Sequence, residues 1–139
     1  MLIWTFYEFV HGVSTDRGII STDMPAGAQA ELDVILSEEL GRIPYHEWGV
    51  PSFKPLGHGM GEIRFKYGGA QYRVFGALGH GGGNYNFWMV ATKNRKRKNL
   101  QATDPPNAIE TAHKRKSAYE LRREGRLRKY DPSGASEET

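Results

Sequence analysis

Gly61-Glu62-Ile63-Arg64-Phe65-Lys66-Tyr67-Gly68-Gly69-Ala70-Gln71-Tyr72-Arg73-Val74-Phe75, residues 61–75, is the stretch whose reading decides the fold. Polar and apolar residues alternate on both sides of Gly68-Gly69, the pattern of a β-hairpin closed by a two-residue primed turn. In that register Ile63 faces Val74 and Phe65 faces Tyr72 on one side of the ribbon. Arg64 faces Arg73 and Lys66 faces Gln71 on the other. Two arginines directly opposite each other repel. The simplest compensation is an anion held between them, and a planar guanidinium is suited to phosphate.

Working outward, Gly79-His80-Gly81-Gly82-Gly83 is a flexible turn, and Asn84 to Thr92 follows as a third strand whose mixed apolar pattern suits burial on both faces. The basic run Lys93-Asn94-Arg95-Lys96-Arg97-Lys98 leaves its end. Upstream, Leu2 to Val10 has strand composition and His11 to Thr22 that of a loop. Thr22 or Asp23 is a candidate cap for a helix over about 25–41, with Ala28, Leu32, Ile35, Leu36 and Leu40 on one face and Gly41 and Pro44 ending it. Leu40 to Leu56 holds three prolines and reads as a crossover. Asp104-Pro105-Pro106 opens a last helix over about 106–124, in which Ile109, Ala112 and Tyr119 can dock. Asp131 to Thr139 has the composition of a disordered tail. The expected organisation is one α+β domain over residues 1–130, a curved antiparallel sheet flanked by helices, with the tail over 131–139.

The 139 residues suffice for one domain with a real core. There is no cysteine, which excludes disulfides and thiolate metal sites. With no apolar run of membrane length and no leader-like start, the expected location is cytoplasmic, away from membranes. The net charge of +3 hides a segregation. Residues 1–60 carry 3 Lys and Arg against 8 Asp and Glu, while residues 61–139 carry 16 against 8. A basic face for nucleic acid fits that distribution, and a pair of solvated charged helices fits it as well.

The segment VPSFKPLGHGMGEIRFKYGGAQYRVFGAL, the strand YNFWMVATKNRKRK and the helix PPNAIETAHKRKSAYELRREG carry, in order, a KPL approach, a GEIRF strand, a YRV strand, a Lys-rich strand end and an Ala-then-Lys/Arg helix. Over roughly residues 50–125 this resembles the RelE/ParE toxin superfamily of type II toxin–antitoxin systems, most closely its HigB-like, phage-associated branch. The acidic first third fits more loosely. The resemblance implies a small RelE-like fold whose ribosome-dependent members cut mRNA in the ribosomal A site. It implies no cofactor and no metal, and as partners a cognate antitoxin protein, the ribosome and mRNA.

RNA carries its own nucleophile, the 2′-hydroxyl, so such an enzyme need only position the chain, move protons and stabilise phosphorane charge. On this reading Arg73 and Arg64 clamp the scissile phosphate, and Lys93 and Arg95 supply further positive charge or a proton. Lys54, Lys66, Lys96, Arg97 and Lys98 bind the RNA backbone, the last three as a generic patch. The plainer alternative pairs Arg64 with Glu62 or with an acid of the first helix. Glu62, on the face of the arginines, is either an orienting base or a surface salt-bridge partner. The five histidines show no metal spacing. His58 and His80, in Gly-rich loops, are candidates for proton transfer or are simply exposed. Trp4 and Trp88 read as core and Trp48 as open to either use. The competing functional reading is a non-catalytic ParE-like or phage-encoded protein that binds a host protein such as gyrase, which does not require Arg64, Arg73 and Lys93 to converge. A third is a basic nucleic-acid-binding accessory protein.

Overall fold

In the structure, a computed structural model, residues 2–10, 18–49, 51–79, 85–96, 103–104, 112, 114–115 and 127–132 are described. The fold is α+β. Strands β1 (Thr5–Phe9), β2 (Phe53–Gly57), β3 (Met60–Tyr67), β4 (Ala70–Leu78), β5 (Asn86–Lys96), β6 (Thr103–Asp104) and β7 (Leu127–Tyr130) form one mostly antiparallel sheet. Its order is β2-β3-β4-β5-β1-β7, with β6 beside β5 and β1 parallel to β5.

The β3–β4 hairpin has the register read from the sequence, including Arg64 opposite Arg73. Its turn forms because Gly68 and Gly69 both take positive φ, 62° and 81°, which residues with a Cβ adopt at a penalty. A register shift between Phe75 and Gly76 marks a bulge against β5. Beyond it, Ala91 and Lys93 align with Phe75 and Arg73 on one face, and Thr92 aligns with Val74 on the other.

Helices α1 (Ile19–Asp23) and α2 (Ala26–Val34) lie on one face of the sheet. The apolar stripe of α2 is buried through Ala28 and Leu32, and a π-helical turn over Ile35–Glu39 continues it through Ile35 and Leu36 to Leu40. A 3-10 turn over Leu40–Arg42 ends it, and within that turn a Cβ on Gly41 would stand 2.2 Å from the Leu36 carbonyl oxygen. The sheet curves around α2. A Cβ on Gly27 would strike Tyr67 of β3, while Asp33 accepts a hydrogen bond from Tyr130 of β7 near the opposite edge. Trp4, Trp48, Phe53 and Phe87 interlock on this face, and Trp48 donates its indole N–H to the Leu40 carbonyl at 2.8 Å. Trp48 is thus core, beside Trp4, while Trp88 is half-buried.

Several boundaries differ from the sequence reading. Thr22 and Asp23 belong to α1 and do not cap α2, whose N-terminal boundary is Pro25 with no side-chain cap. The supposed loop over His11 to Thr22 therefore ends early, at the α1 residues; residues 11–17 lie outside the described residues. The crossover contains two 3-10 turns and then β2, which carries Pro55 at the sheet edge, where a missing N–H is tolerated. The third strand does not stop at Thr92 but runs to Lys96. Strand β7, just before the expected tail, pairs with β1, and Pro132 after it is buried. Of the last helix, Ala112, Lys114 and Arg115 are described and helical; the rest, with the turn over 80–83 and residues 133–139, lies outside the described residues. No helix among the described residues is long and apolar enough to cross a membrane.

Candidate functional site

The sheet has two unlike faces. One is covered by α1, α2 and the aromatic cluster. Described residues cover the other only in part: the Arg115 guanidinium lies 3.9 Å above the Phe9 ring of β1 and donates to the Val90 carbonyl of β5. Over β3 and β4 no element among the described residues covers this face, and there the cations gather.

Register places Arg64, Arg73 and Lys93 in one row across three adjacent strands. The Arg64 N–H donates to the Ser52 carbonyl at 2.8 Å, so the Arg64 backbone points away from β4. Arg64 and Arg73 therefore form a non-hydrogen-bonded pair, the kind whose Cα atoms come within about 4.5 Å and whose side chains are closest. Lys93 belongs to the strand itself, a correction to its expected place beyond it. Being on a rigid element with Arg73 beside it, it is better positioned than a loop lysine would be.

An anion does stand between the arginines, and the chain supplies it. Glu62 Oε2 lies 3.4 Å from Arg73 Nη1 and 3.6 Å from Arg64 Nη1. Glu62 is buried, only 2% exposed, so it is not the surface salt-bridge partner expected. Strand β2 on one side, with Lys54 opposite Glu62, and Phe75 of β4 on the other shield it. Arg73 is held further by Gln71, whose side-chain carbonyl accepts from Nη2 at 2.9 Å. The row thus has three cations against one carboxylate, with both arginine side chains less than a third exposed. Such a group holds its guanidinium planes fixed and retains positive charge toward solvent.

The remaining candidates scatter. Arg95 of β5 is opposite Gln71, two residues along the strand from Lys93 and so on the same register parity as the row. Lys66, exposed, is opposite Gln71 on β3, and Lys54, exposed, is on β2. Lys96 is opposite Ala70 at the end of β5, out of step with the row. Arg97, Lys98 and His80 lie outside the described residues. His58 is exposed in the tight β2–β3 turn at φ 57°, and no contact ties it to the row. Among the described residues no three histidine, aspartate or glutamate side chains come together as a metal site.

Sequence reasoning offered the Arg64–Glu62 pair that the structure has, but missed the burial of Glu62, its second contact with Arg73, and Gln71 as a partner of Arg73. A signal existed for Glu62. It lies two residues before Arg64 and diagonal to Arg73, within reach of a long side chain. Its burial was hidden because β2 was not recognised. Comparison with protein-family models, with curated proteins and with solved structures finds no match.

Proposed function

We propose that this chain is the toxin of a type II toxin–antitoxin system, a cytoplasmic, ribosome-dependent and metal-independent mRNA endonuclease. The observation that carries this reading is the Arg64–Arg73–Lys93 row, because convergence of these cations on an accessible sheet face is what an RNA-cutting site needs and a gyrase-binding protein does not. Two guanidiniums fixed by Glu62 are suited to hold the non-bridging oxygens of one phosphate. As the 2′-hydroxyl gives its proton to water and attacks phosphorus, displacing the 5′-oxygen and leaving a 2′,3′-cyclic phosphate, the added negative charge develops where the donors already point. Lys93, at the end of the row, stabilises or protonates the departing 5′-oxygen. Lys54 and Lys66 lead the chain toward the row through phosphate contacts. The cognate antitoxin silences the enzyme by covering this basic face with an acidic segment.

The test is a translation reaction of purified ribosomes on one defined mRNA, with 5′ ends mapped by primer extension. Ribosome-dependent cuts by the parent protein, unaffected by a chelator and lost with Arg73→Ala, support the proposal. Uncut mRNA from active, folded protein removes it in favour of the binding-protein reading. Antitoxin docking is tested separately by reversing charge across residues 93–98 and 114–116; unaltered antitoxin affinity would place the dock elsewhere.

A further inference from the structure

Strand β2 flanks only part of β3. Its pairing runs from Gly57 opposite Met60 to Phe53 opposite Ile63, and the Ser52 carbonyl takes the Arg64 N–H just beyond. The chain then turns away, with the Phe53 N–H bonded to the Gly49 carbonyl. Strand β3 continues to Tyr67. Because a strand's backbone groups alternate in direction, the N–H and C=O of Lys66 point the same way as those of Arg64, outward, where no strand lies beside them among the described residues.

A cleft of about 630 Å³ opens along this bare edge. Its helix side is made by Glu31, Val34, Ile35 and Glu39, and its strand side by Arg64, Phe65 and Lys66. Val34 in that lining is one of the large apolar side chains left exposed, at 52%. An unpaired edge, an apolar floor and cations confined to one wall fit a peptide better than a nucleotide, since the carboxylates opposite would repel phosphate.

We propose that this cleft docks one extended segment of a protein partner, whose backbone adds to β3 at Lys66 and whose side chains alternate between apolar and acidic. Period two in an added strand puts the apolar set against Val34, Ile35 and Phe65 and the acidic set against Arg64 and Lys66. Glu31 and Glu39 fix the orientation, because the reverse facing sets acid against acid. The inference does not depend on the nuclease reading, yet it bears on the same face: Arg64 belongs to both the cleft and the cation row, so an acidic occupant competes with any anion there.

The probe is a fluorescent hexapeptide of alternating Glu and Val, with versions N-methylated at every second amide in each of the two phases, a Lys-for-Glu version, and a single-stranded hexaribonucleotide. Expected results are binding of the parent peptide, at least tenfold loss with one phase of N-methylation and little with the other, and at least tenfold loss with Lys for Glu. Val34→Gln, at an exposed position that leaves folding intact, should weaken binding to a similar degree, and the Lys66 amide should become protected from hydrogen exchange. Absence of peptide binding, equal binding of both N-methylated phases, or an unchanged Lys66 amide would overturn the proposal. Perturbation of Val34 and Phe65 by the oligoribonucleotide but not by the peptide would overturn it too and assign the cleft to RNA.

Discussion

Glu62 determines whether two opposed arginines are a liability or a tool. Alone, Arg64 and Arg73 would splay apart into solvent; with a buried carboxylate between them they are pinned at 27% and 30% exposure. Replacing Glu62 by Ala removes that pin and leaves like charges facing each other. We expect a loss of about 2 kcal/mol in urea unfolding, the scale of a charge-assisted buried contact. An unchanged midpoint would mean that the carboxylate does not organise the pair. Arg73→Ala takes one partner from the buried Glu62 carboxylate while Arg64 stays beside it, so the fold should survive with a loss of about 1 kcal/mol. On the sequence alone this change looked neutral or even favourable, because the repulsion was legible while the burial of Glu62 and its contact with Arg73 were not. Cleavage should fall by about two orders of magnitude, as for loss of one donor to developing charge, and Arg73→Lys should restore only part, lacking the two-pronged contact.

At the scale of elements, the hairpin was legible because Gly68-Gly69 and strict period two leave one register in which Ile63, Val74, Phe65 and Tyr72 share a face. The α2 stripe was legible for the corresponding reason at period 3.6. Strand β2 was not, since Pro55 argues against a strand unless the strand is known to be at an edge. Strand β7 was not, because four residues, Leu127–Tyr130, carry too little periodicity. Leu127 and Tyr130 of β7 pack against the core, and a polar tie joins them: Arg128 Nε lies 3.1 Å from the buried Glu8 carboxylate, which also accepts the Ile20 N–H at 3.0 Å. Burial raises the Glu8 carboxyl above its ordinary value, while the Ile20 N–H and Arg128 oppose the rise. The folded chain therefore holds that proton more tightly than the unfolded chain. Its contribution to stability is full below the ordinary carboxyl range and declines as pH rises through the folded value. Arg128→Ala removes an opposing influence and deepens that decline. We expect it to cost about 1–2 kcal/mol at neutral pH and less toward pH 4, read by denaturation at several pH values. A difference that grows on acidification would contradict this arrangement.

Across the whole molecule, the acidic first third and the basic remainder become two surfaces with separate work. Residues 1–60 supply most of the helical cover and the β2 edge that buries Glu62, while β3, β4 and β5 present their cations on the accessible face. Binding to RNA through that face should weaken steeply with salt, since each phosphate contact releases counterions. The charge asymmetry was plain in the sequence; which residues share a face depended on β5 continuing into the basic run as far as Lys96, and composition had suggested that it stopped at Thr92. The most direct test of the central claim, that the Arg64–Arg73–Lys93 row cuts translated mRNA, is mapping of mRNA 5′ ends in cells after brief induction of the parent protein and of Arg73→Ala at matched levels. The account predicts new ends within translated frames for the parent and their near absence for the variant. Arrest of growth by both proteins, with no new ends from either, would contradict it.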